Sequence, residues 1–189
     1  MRRLLPLALL LAPTAALAHS AIGAHGAPFA SGVAHPLLGP DHLLTMVAVG
    51  LLAAMTGGRT VWAYPATFVG AMLIGGVLGV EGAALPIIEP TILASVVVLG
   101  AAIAFALRPP LPLACALIAL FGIAHGYAHG LEGPALGGFV YAAGFLVSTL
   151  ALHGLGLALG FAAGSLRRSV VARAVGGLTC LAGTVLILG

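Results

Sequence analysis

From Leu37 onward the chain alternates long apolar runs with short polar punctuation. The runs are Leu37–Met55, Val61–Val80, Ile87–Leu107, Leu111–Ala128, Leu136–Ala163 and Val170–Leu188. Between them lie TGGRT, EGAALP, RPP, GLEGP and GSLRRS, each rich in helix breakers or charge. About 20 helical residues cover roughly 30 Å, the thickness of a bilayer's hydrocarbon core. The pattern therefore predicts an all-α polytopic bundle of six transmembrane helices. No linker or low-complexity stretch marks a second domain.

The first residues read differently. Met1-Arg2-Arg3 is a positive start, LLPLALLLA is apolar but too short to cross, and Ala16-Leu17-Ala18 has the small-residue form of a cleavage site. Residues 1–18 are expected to be a secretory signal peptide. The mature chain, 19–189, would then start at His19 on the far side of the membrane. Composition agrees with the membrane class: 61% of residues are hydrophobic, 6% are charged and the mean hydropathy is +1.22. A soluble domain of this length carries far more surface charge.

Charge adds topology. With the mature N-terminus outside, Arg59, Arg108, Arg167, Arg168 and Arg173 all fall on the cytoplasmic side, while Glu81, Glu89 and Glu132 fall outside. This is the positive-inside pattern, expected for a multi-pass protein of the bacterial inner membrane. The net charge of +3 comes from scattered arginines, so it argues topology and no nucleic-acid partner. Trp62 and Tyr64 at one face, and Tyr127 and Tyr141 at the other, are expected as interfacial anchors. Gly156, Gly160 and Gly164 recur every four residues and predict a close helix–helix approach. Cys115 and Cys180 sit singly in apolar runs and form no metal or redox motif.

Two polar motifs break the apolar pattern. HPLLGPDH, His35 to His42, opens the first run, and only about 20 Å of apolar helix follows it. Asp41 and His42 must therefore lie at membrane depth. Pro36, Gly39 and Pro40 predict a broken or re-entrant entry, with Pro40 as first helical residue and Asp41 and His42 in the first turn. HGYAHGLEGP closes the fourth run. His125 and His129, four apart, share a helix face, and Glu132 joins it if the helix survives Gly130. The topology brings both motifs to the outer half of the membrane. Ionisable residues there are costly unless paired, and point to function. The alternative for each histidine is a hydrogen bond to a neighbouring helix.

Imidazole suits nickel, cobalt, copper and zinc; carboxylate adds charge, and Met46, four after His42, adds a soft ligand. His153, alone in the fifth run, is either a deeper waypoint or a packing residue. His19, with His25 nearby, could capture metal outside. No GxxxxGK[ST] phosphate loop is present. A second reading of the same residues is an intramembrane metal-dependent hydrolase: His125 and His129 would hold zinc, Asp41 or Glu132 would act as base, and Ser148 would add a hydroxyl. A third is a metal-binding assembly subunit that transports nothing.

HPLLGPDHLLTMVAVG resembles the first-helix signature of the HupE/UreJ proteins, a histidine, five residues, then Asp-His, and FGIAHGYAHGLEGP resembles their fourth-helix signature. The likeness extends over nearly the whole chain, signal peptide included. It implies a secondary transporter of nickel, in some members cobalt, serving hydrogenase or urease maturation, and therefore no enzyme. It implies His35, Asp41, His42, His125, His129 and Glu132 as metal residues; His19, Met46 and His153 are secondary candidates by residue type alone. Residues 19–189 would then be a six-helix metal-transport domain. The metal would be cargo and no cofactor would be permanently bound. The expected partners are a divalent transition-metal ion and membrane lipid; a second copy of the chain, in a homo-oligomer, is a further candidate.

Overall fold

A computed structural model describes residues 27–133, 138–163 and 170–188. The expected signal peptide and His19 lie outside them. Among the described residues seven α-helices run in chain order: α1 Pro28–Leu38, α2 Pro40–Thr56, α3 Thr60–Val80, α4 Ile88–Ala104, α5 Leu111–Glu132, α6 Phe139–Ala162 and α7 Val170–Leu188. No strand occurs among the described residues.

The first expected span is a bent pair. Helix α1 begins at Pro28, ahead of the expected Leu37, and meets α2 at 79°. The break is local chemistry: Pro40 has no N–H to donate and its ring disfavours helical backbone at the residue before it. Gly39 accordingly is extended, with φ −83° and ψ 111°, and Pro40 opens α2. Four helices, α3, α5, α6 and α7, are long and apolar enough to cross a membrane, and the bent pair makes a fifth candidate span. Helix α4 covers 17 residues rather than the expected 21, about 26 Å at 1.5 Å per residue.

Packing is organised around α2, which buries 11 of its 17 residues. Helices α3 and α5 lie against each other, α4 pairs with α7, and α6 receives both α1 and α2. Glycines set the closest approaches. The space a Cβ would fill on Gly126 of α5 holds the backbone carbonyl of Met72 on α3, and the space on Gly130 holds that of Gly76. Helix α5 runs through Gly130 to Glu132 rather than ending at Ala128. Gly50 of α2 meets the carbonyl of His153 on α6, and Gly156 meets that of Val47. The expected approach face of α6 is thus real at Gly156 and Gly160; Gly164 lies outside the described residues.

The distribution of polarity is that of a membrane protein. Val77, Val171, Leu178 and Leu181 are exposed on the outer faces, while His42, Thr45, Ser95, His125, His129, Thr149 and His153 are buried within. Lipid tails are as apolar as leucine, so exposing such side chains to them costs nothing. The tyrosines are not interfacial anchors as expected. Tyr64, Tyr127 and Tyr141 are buried, and only Trp62 is exposed. The Tyr127 hydroxyl donates to the Ala83 carbonyl, which draws the ring inward.

Two arginines do more than mark a side. Arg108 donates from Nη2 to the Met55 carbonyl at 3.0 Å, and Arg173 donates from Nε to the Ala104 carbonyl at 2.8 Å. Met55 and Ala104 lie in the last turns of α2 and α4, so each cation sits on a carbonyl with no helical partner, at the negative end of a helix dipole. The C-termini of α2 and α4 therefore share one end of the bundle with the arginines.

Candidate metal centre

The bend at Gly39 aims both halves of the first motif at one place. His35 sits on the last turn of α1 and His42 on the first turn of α2, and their ring centroids lie 5.7 Å apart. The last turns of α5 bring His129 between them, 4.6 Å from the His35 ring and 4.7 Å from the His42 ring. Each of these three offers a ring nitrogen, and the nitrogens lie within 4.8 Å of one another. Imidazole–metal bonds of about 2.1 Å allow separations of about 3 to 4.2 Å on a shared ion. A contraction of about 0.6 to 1.8 Å from the 4.8 Å limit would close the triad on a dication.

Hydrogen bonding sets which nitrogen is offered. Asp41 Oδ1 lies 2.8 Å from His42 Nδ1 and also accepts the His42 backbone N–H at 2.9 Å. An ionised carboxylate can only accept, so Nδ1 carries the hydrogen and Nε2 keeps its lone pair. His125 follows the same rule: its Nδ1 lies 2.9 Å from the Phe121 carbonyl, which can only accept. The Nε2 atoms of His42, His125 and His129 are buried and have no hydrogen-bond partner. A buried polar atom left so costs about 1–3 kcal/mol. A carboxylate or carbonyl behind an imidazole is also how metal-binding histidines are commonly oriented. Hydrogen bonding to a neighbouring helix, the alternative for these histidines, does not account for the second nitrogen.

The remaining expected residues divide. Glu132 Oε2 lies 3.9 Å from His35 Nε2 at the half-exposed rim. Asp41 grips His42. The His125 ring is 4.9 Å from that of His42 and fully buried, on the inner side of the triad. Met46 is fully buried in the hydrophobic core. His153 stands apart from the triad: the Phe68 ring lies 5.3 Å from its ring and 5.4 Å from that of His125.

Sequence reasoning missed the walls. Phe145 on α6 stacks 3.8 Å from His129, and Tyr141, one turn earlier, places its hydroxyl 3.5 Å from His129 Nδ1. Their four-residue spacing was visible, but nothing in an apolar run distinguishes aromatics facing a site from those facing lipid.

A membrane-embedded helical bundle with a converging histidine cluster is the class that fold and geometry define. The family model described as HupE / UreJ protein matches residues 7–186. A relative from Rhizobium leguminosarum bv. viciae, named Protein HupE, is 42% identical over 174 residues, covering 92% of this chain and 91% of that protein. No solved structure matches. The chain belongs to the HupE/UreJ family, a transporter and accessory-protein family associated with nickel and cobalt and with hydrogenase and urease.

Proposed function

We propose that the protein is a secondary transporter of the bacterial inner membrane that imports Ni²⁺, with Co²⁺ as alternative cargo, for hydrogenase or urease maturation. The observation that carries this reading is the convergence of His35, His42 and His129 from three helices at the end of the bundle opposite the arginines, with the Nε2 atoms of His42 and His129 buried and without a hydrogen-bond partner.

In this reading, residues 1–18 are a cleaved signal and the mature N-terminus is periplasmic. The bent α1–α2 pair and α4 join the four long helices to make six crossings. The ion meets His35 and Glu132 first, at the half-exposed rim. It exchanges water for imidazole at His35, His42 and His129. Asp41 holds the His42 ring and supplies negative charge behind it. His125, one ring further in, takes the ion next. No thiolate is needed; imidazole with nearby carboxylate suits both nickel and cobalt. The membrane potential can drive entry: two charges moving inward gain about 4.6 kcal/mol per 100 mV, about three orders of magnitude in concentration.

The hydrolase reading is less well supported. It needs His125 and His129 on one zinc with Asp41 or Glu132 free as base, whereas His129 clusters with His35 and His42, Asp41 is engaged by His42, and Glu132 Oε2 lies 3.9 Å from His35 Nε2.

The test is radioactive nickel uptake in cells lacking their own nickel importers, comparing wild type and His42→Ala at matched membrane abundance, with cobalt as competitor. Uptake by wild type and its loss in the variant are expected. Wild-type uptake no greater than in empty cells, despite correct insertion, would remove the transport reading.

A further inference from the structure

His153 is a buried histidine that the outer cluster does not use. It is 2% exposed, and neither ring nitrogen has a hydrogen-bond partner. Such a residue is expensive in a bundle core, where leucine would fill the space without two desolvated nitrogens.

Its surroundings supply further donors. Thr149, one turn earlier on the same face of α6, is fully buried, and its hydroxyl donates to Met72 Sδ at 3.9 Å. Met72 is one turn beyond Phe68 on α3, and the Phe68 ring lies edge-on to His153. An imidazole, a hydroxyl and a thioether thus gather between α3 and α6.

Depth follows from the glycine contacts. The backbone of His153 touches Gly50 of α2, eight residues past His42. Eight residues of helix rise about 12 Å. The His153 backbone therefore lies about 12 Å further along the bundle axis than that of His42.

We infer that His153 and Met72, assisted by Thr149, form a second, inner station for a transition-metal dication. The inference rests on the transport reading for its purpose, but binding alone can test it. The donor set has a chemical consequence. Thioether and imidazole accept nickel, cobalt and copper and discriminate against magnesium, calcium and manganese, which prefer oxygen. A carboxylate-backed outer cluster attracts any dication; an inner station without a carboxylate passes those that tolerate nitrogen and sulfur. Two or three neutral donors also hold an ion weakly, so it can leave again.

The experiment is equilibrium dialysis of the purified full-length protein in detergent against Ni²⁺ up to saturation, with bound metal counted by mass spectrometry, beside nickel uptake in cells. His153→Leu and Met72→Leu are each compared with wild type and His42→Ala. The expected result is one equivalent of nickel fewer than wild type in His153→Leu, weaker binding of that equivalent in Met72→Leu, and at least tenfold slower uptake in His153→Leu. His42→Ala should retain the equivalent that His153→Leu lacks. Thermal melting identifies a variant that misfolds, and for such a variant His153→Gln, which keeps a polar side chain, replaces it. Stoichiometry and uptake equal to wild type in a folded His153 variant would overturn the inner station. Absence of wild-type uptake, with a second nickel still lost in His153→Leu, would overturn the transport reading and leave the inner station standing.

Discussion

Asp41 and His42 are adjacent in sequence and doubly joined: one carboxylate oxygen accepts the ring Nδ1–H at 2.8 Å and the backbone N–H at 2.9 Å. The pair sits in the first turn of α2, where a negative side chain also meets the positive end of the helix dipole. Asp41 thereby fixes the tautomer and the rotamer of His42 together. Asp41→Asn can still accept a hydrogen bond but loses the charge. Nickel affinity is expected to fall about 10–100-fold, as when the partners of metal-bound histidines are removed. Isothermal titration of purified variant and wild type measures it, and unchanged affinity would mean that Asp41 does not act through His42.

His42 and His129 approach each other from α2 and α5 and offer nitrogens to the same point. Residues that act as a unit are strongly non-additive. His42→Ala and His129→Ala are each expected to lower nickel uptake more than tenfold, and the double variant little further. Fully multiplicative losses would indicate separate sites.

Gly75 of α3 faces the backbone carbonyl of Ile123 on α5, in the space where a Cβ would stand, whereas nothing lies within 4 Å of a Cβ on Gly70 of the same helix. Gly75→Ala must push two backbones apart, at about 1–3 kcal/mol for overpacking. Gly70→Ala gains helix propensity, up to about 1 kcal/mol. Thermal melts in detergent should fall for the first and hold or rise for the second. Equal melting temperatures would mean that the α3–α5 contact is not close.

Glu81 is exposed where α3 ends, in a different loop from either polar motif. Glu81→Gln is expected to leave nickel uptake within about twofold of wild type, since the charge of an exposed side chain is screened by solvent. A tenfold loss in the same uptake assay would place part of the ion path on that loop.

Much of this protein is legible in its sequence, because lipid imposes simple rules. Apolar runs about 20 residues long mark helices, and Gly39-Pro40 marks the break, since proline's missing N–H acts locally. The four-residue spacing of His125 and His129 places both on one face of α5. The family, too, is written in the motifs. Tertiary structure alone decided the rest. The 79° bend brings His35 to His42 and His129, and packing assigns Asp41 to the His42 ring. Helix α5 continues through Gly130, and His153 sits beside the Gly50 backbone. The burial of the three tyrosines and the roles of Arg108 and Arg173 as caps are likewise absent from any run of letters. The physical reason is common to all of them. Hydrophobicity and backbone chemistry act along the chain, within a few residues, whereas ligand geometry depends on distances between helices set by side-chain shapes at their crossings.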